Sequence, residues 1–253
     1  MARGERRQAA GRLKFGVRAR ILLLALAPAC AWSQPVTPDL AAAARQVVAA
    51  TNEFRREHDL GPLEAQDALA SSAREFAAYM ARTGNYGHEA DGRTPAERAK
   101  AHGYEYCSVA ENIAWISSRR AFLTAQLASG LVEGWKQSPE HRKNLLRPEL
   151  TQTGVAIARA GSGRYYAVQM LGRPASQSVS FRIENRAGAA VSYQLDGREF
   201  TLAARVTRTH QRCSEATLAF RRPRDGAQTV RAGDGDRLIV ERKPSGELAV
   251  TRD

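Results

Sequence analysis

Apolar positions recur at helical spacing through the first half of the chain and then change to alternation. Between Asp39 and His58 the residues Leu40, Val47, Val48, Thr51 and Phe54 mark one face of a helix, and Gly61-Pro62 stops it. Leu69, Phe76 and Met80 place a second helix from about Asp67 to Thr83. A third opens at Thr94-Pro95-Ala96-Glu97, which supplies an N-cap, a proline at the first helical position and the acid of a capping box, and Gly103 ends it. Phe122, Leu127, Leu131 and Trp135 predict a fourth from about Arg119 to Lys136, followed by a brief turn over 139–145. The period then drops to two: 153–158 and 165–170 alternate on either side of Gly161-Ser162-Gly163, a hairpin signal.

Helices before and between the strands of a small antiparallel sheet make the first module α+β, over residues 38–174. Gly172 to Ser178 is rich in small residues and includes Pro174, and the composition shifts across it. Beyond it lie the strand-like runs VSFRIEN, AVSYQL, REFTLAA, ATLAFRR, RLIVER and ELAVTR, with Asp196-Gly197 as a two-residue hairpin turn. Residues 179–253 are therefore expected to form a small all-β module.

The first 33 residues change how the charge is read. Seven Arg and Lys residues come before ILLLALAPACAW, and Ala31-Trp32-Ser33 offers small residues at a cleavage site, so 1–33 reads as a signal peptide. Cys30 sits in only a poor match to a lipoprotein box. Cleavage removes seven basic side chains and one acid, which lowers the formal charge from +12 to +6. The remaining basic residues are scattered and not interleaved with aromatics, which argues against nucleic acid as a partner. No later stretch is apolar for the roughly 20 residues of a membrane span. A secreted or periplasmic location follows. Cys107 and Cys213 stay in the exported chain, where an oxidising compartment invites a bridge, but they fall in different modules, and the sequence leaves their pairing open.

Five histidines remain: His58, His88, His102, His141 and His210. His58 and His102 fall at helix ends, where a cation suits the dipole, and read as caps. His88 stands in a glycine-flanked loop, 84–92, the kind of place where site residues are commonly held. Glu111 is set among apolar residues in 109–115, and a buried carboxylate needs a partner. In GWKQSPEHRKNLL, residues 134–146, Trp135, Ser138, His141 and Asn144 are three apart. Ser138 beside His141 is the one pair suggestive of a nucleophile and its base. The chain contains no HExxH, CxxC or GxSxG.

The ordered set Asn52-x-x-Arg55, Gly61-Pro-Leu63, Gly87-His88, Thr94-Pro-x-Glu-Arg98, Gly103-Tyr104, Ala110-Glu-Asn-Ile-Ala114, Trp135-x-x-Ser138-x-x-His141-x-x-Asn144 and Gly154-Val-Ala-Ile-Ala158 resembles the CAP superfamily. That family groups the cysteine-rich secretory, antigen 5 and pathogenesis-related 1 proteins, and this chain is similar to its bacterial SCP-domain type. The resemblance implies an α-β-α sandwich and a cleft in which His88 and His141 supply the two histidines and Glu111 the acid. The family's second acid falls on Ser138, where this chain departs from the pattern. Two imidazoles and a carboxylate suit Zn²⁺, so the expected metal set is His88, His141 and Glu111, and the expected ligand cleft adds Ser138. The expected function is binding of a metal ion or a small or lipidic ligand without catalysis, with the β module attaching to an envelope component or a protein. A secreted hydrolase using the same cleft and a structural or adhesion protein are the alternatives.

Overall fold

The first three helices begin where a side chain answers their free amides. The computed structural model describes residues 37–221 and 226–253, so the predicted leader and Cys30 lie outside the described residues. Helix α1 (Leu40–Arg56) is capped by Asp39, whose carboxylate accepts from the Ala42 N–H at 2.9 Å. Strand β1 (Glu64–Ala65) leads to α2 (Asp67–Thr83), where Gln66 Oε1 accepts from the Ala68 and Leu69 amides and Gly84 closes the far end at φ 75°. Helix α3 (Pro95–Ala101) carries the expected capping box between Thr94 and Glu97.

Strand β2 (Tyr106–Ile116) was not anticipated: its run of small, polar and apolar residues shows no clean alternation. Helix α4 (Thr124–Gln137) starts five residues later than predicted. At 118–120 the Ser118 hydroxyl accepts from the Arg120 N–H at 3.1 Å, a local bond that competes with helix. Helix α5 (Pro139–Leu145) follows at once. Ser138 sits between the two helices in extended conformation, φ −89° and ψ 120°, because the residue before a proline is pushed out of the helical region. Trp135 and His141 therefore belong to different helices.

Strands β3 (Gln152–Arg159) and β4 (Tyr165–Pro174) form the predicted hairpin, and the sheet order is β1-β3-β4-β2. β4 is buried from Tyr165 to Gly172 because helices cover both faces. Tyr165 and Ala167 pack with α1, α4 and Trp135, while Tyr166, Val168 and Met170 pack with α2 and Tyr104. This is the α-β-α sandwich that the resemblance implied. Gly154 on β3 lets α2 lie directly on the sheet, since a Cβ there would stand 2.0 Å from the Ala70 nitrogen.

A short 3-10 turn (Ala175–Gln177) leads into strands β5 (Val179–Asn185), β6 (Val191–Leu195), β7 (Arg198–Leu202), β8 (Thr207–Arg212), β9 (Ala216–Arg221), β10 (Ala227–Ala232), β11 (Arg237–Arg242) and β12 (Leu248–Arg252). They form two four-stranded sheets, β10-β9-β6-β7 and β12-β11-β5-β8. These close on one core that includes Phe181, Tyr193, Phe220 and Val240. Asp196 and Gly197 both have positive φ, 50° and 74°, as a primed hairpin turn requires. A disulfide joins Cys107 to Cys213 across a Cα separation of 5.4 Å, settling the pairing that the sequence left open. Among the described residues no helix is long and apolar enough to cross a membrane.

Candidate functional site

The site is built around β2, whose outer side no strand of the described residues covers. Asn144 Nδ2, from α5, donates to the Glu111 carbonyl at 3.2 Å and to Asn112 Oδ1 at 3.0 Å. Asn112 Nδ2 in turn donates to the His141 carbonyl at 3.3 Å. Trp135 Nε1 and the Tyr86 hydroxyl both donate to the Ile113 carbonyl at 3.2 Å. Side chains of three segments thus satisfy edge groups that would otherwise be unpaired, and in doing so they fix α5 and the 84–92 loop against the strand.

Arg98 fastens that loop. Its guanidinium is 1% exposed and donates to Asp91 Oδ1, the Arg93 and His88 carbonyls, and Glu111 Oε2, at 2.7, 2.7, 2.7 and 2.8 Å. It lies 3.6 Å from the centroid of the Phe76 ring, a stacked cation–π arrangement. The other Glu111 oxygen is 2.7 Å from His88 Nδ1. Both carboxylate oxygens are therefore engaged. The imidazole of His88 is oriented with Nε2 away from the acid, and its side chain is 49% exposed.

His141 is within electrostatic reach of His88. Burial, then the neighbouring His88, pushes its pKa down, with Glu140 opposing, so the ring favours its neutral form. Burial, then the charge of Glu111, raises the Tyr86 phenol. The structure thus places His88 in contact with Glu111, with His141 within electrostatic reach of His88. Ser138 and His141 line one shallow cavity, but among the described residues no hydrogen bond joins the serine hydroxyl to the ring. No group of three His, Cys, Asp or Glu side chains among the described residues is arranged to hold a metal ion. The sequence alone does not signal this role of Arg98, because an arginine one residue beyond a capping-box acid resembles any solvated helix residue. His58 Nδ1 lies 2.8 Å from the Phe54 carbonyl at the end of α1, with Nε2 beside Arg142, and His102 Nε2 lies 2.7 Å from Glu75 Oε2.

A family model described as the cysteine-rich secretory protein family, CAP, matches residues 48–171. The chain is 30% identical over 119 residues to the uncharacterized protein YkwD of Bacillus subtilis (strain 168), covering 47% of this chain and 43% of that protein. It therefore spans less than half of that relative's length. Among solved structures, an extracellular SCP-domain protein from Bacillus anthracis str. Ames shares 26% identity at a TM-score of 0.45, over 56% of this chain and 45% of its own. An outer surface protein from Borrelia burgdorferi shares 20% identity at a TM-score of 0.47, over 56% of this chain and 99% of its own.

Proposed function

Through residues 48–171 the chain belongs to the CAP superfamily, in its bacterial SCP form, and on that premise we propose that it is an exported binding protein whose cleft takes a divalent cation, Zn²⁺ by chemistry, without catalysing a reaction. One observation carries this reading: Glu111 spends one oxygen on Arg98 and the other on His88. An acid placed behind a histidine fixes the ring's tautomer and raises the basicity of the opposite nitrogen, the usual support for a metal-binding imidazole. His88 Nε2 and a ring nitrogen of His141 are the donors, and Glu111 acts one bond behind them. Two imidazoles are fewer than the three or four protein ligands of most zinc sites, so water or a bound ligand would have to complete the shell.

The same observation speaks against hydrolysis by the protein's own side chains. A Ser138–His141 pair needs an acid to orient the imidazole, and Glu111 is committed elsewhere. The disulfide favours a place outside the cytoplasm, because such bonds persist in oxidising compartments, and it agrees with the leader read from residues 1–33. The β sandwich is then free to attach the cleft to an envelope component or a protein. Incubating the purified protein with zinc and a proteome-derived peptide library tests the reading: stoichiometric zinc uptake without new peptide termini supports it, and zinc-dependent cleavage overturns it.

A further inference from the structure

The far edge of the CAP sheet carries a second feature. β1 pairs with β3 over two residues only, Glu64 with Gln152 and Ala65 with Thr153, before the chain turns away into α2. The Gln66 N–H donates to the Thr153 carbonyl at 2.9 Å and the Glu64 N–H to the Thr151 carbonyl at 2.8 Å, so odd-numbered residues of β3 turn their backbone groups outward. Alternate residues of an antiparallel strand share that direction. Val155 and Ile157 therefore present N–H and C=O groups to an edge that no strand of the described residues occupies.

That edge is not flat surface. A cavity of about 360 Å³ runs along it, lined by Gly154 to Ile157 and walled by α1 on one side and α2 on the other. Because residues of both parities line it together with helices from both faces, it straddles the strand's edge. Small residues, Ala41 and Ala44 on α1 and Ala70 on α2, keep it open. Its lining is basic: Arg45 and Arg74, neither in an ion pair among the described residues, stand against one acid, Asp67, and Arg159 lies beyond the lining at the end of β3. A recess between two helices excludes a broad sheet but admits one strand, which also protects an otherwise adhesive edge.

We infer that this groove is a docking site for an extended, acidic peptide that adds a strand to β3 in line with β1. Main-chain bonds to Val155 and Ile157 supply the pairing, alternate apolar side chains enter between α1 and α2, and carboxylates meet Arg45 and Arg74. The inference does not depend on metal at the histidine site, and its test is run in EDTA.

A random decapeptide library displayed on phage is panned against the whole exported chain, and the recovered consensus is synthesised with a fluorescent label. The expected consensus alternates apolar residues and carries Asp or Glu. N-methylating alternate amides of that peptide should weaken binding at least tenfold, as should Ala44→Phe, and hydrogen exchange at the Val155 and Ile157 amides should slow on binding. Should Ala44→Phe fail to fold, the N-methyl comparison and the exchange measurement still decide the matter. The inference is overturned if no sequence is enriched, if the N-methylated peptide binds equally well, or if palmitate protects the groove while peptides do not.

Discussion

Arg98 and Glu111 are each about 1% exposed in their side chains and 2.8 Å apart, so removing one leaves the other buried without its partner. Arg98→Met should cost about 3–5 kcal/mol in urea unfolding, whereas Arg98→Met with Glu111→Leu should cost less, since of the two buried carboxylates that Arg98 pairs only Asp91 is then left without it. A single variant no more costly than the double would show that the pair is not what holds the 84–92 loop. In the β sandwich, His210 packs against Phe181 and Phe200 and its Nε2 lies 2.7 Å from the Tyr193 hydroxyl. Burial, then the neighbouring Arg208, lowers its pKa below the ordinary 6.5. The unfolded chain is then protonated first as pH falls, so this histidine's contribution is complete above about pH 6.5 and is lost below it. The melting temperature of His210→Gln should accordingly approach that of the parent as pH drops from about 7.5 to about 5; a gap that widens would contradict the assignment. Motif order puts His88, His141 and Glu111 forward together, and the His88–Glu111 contact is present. The two bonds of Glu111 were not legible in the sequence, because nothing local links Arg98 to a residue 13 positions away.

At the scale of elements, legibility followed burial. α2 and α5 stand where the apolar spacing and Pro139 put them, and β5 and β11 match their alternating runs. β8 and β10 escaped notice because they are edge strands with mostly polar sequences, TRTHQR and AQTVRA, and only their neighbours in the sheet make them strands. β2 was hidden for a related reason: its polar side chains Glu111 and Asn112 are satisfied by α3, α5 and the loop, contacts too distant in sequence for any period to show. Gly154 was quoted as part of a motif, and the packing of α2 on β3 supplies its reason. Gly154→Ala should destabilise by about 3 kcal/mol, because the added methyl meets backbone that cannot move aside like a side chain. Denaturant midpoints of the two proteins check this, and a loss under about 0.5 kcal/mol would mean that the helix rides higher on the sheet than its geometry implies.

In the whole molecule, the sandwich core draws on residues from Val179 onward and the CAP clusters on residues up to Leu171, with the disulfide spanning the two. We propose that each part folds by itself, and that the bridge chiefly restrains the unfolded chain. Reduction, which frees a loop of 106 residues, should then lower stability by about 4 kcal/mol while leaving both cores cooperative. Calorimetry showing either core molten after reduction would contradict that. Zinc titration by calorimetry on the parent, His88→Ala and His141→Ala proteins decides whether the cleft binds a divalent cation. One site in the parent, lost in both variants while their melting temperatures hold, is the predicted result; zinc binding unchanged in either variant would contradict the account.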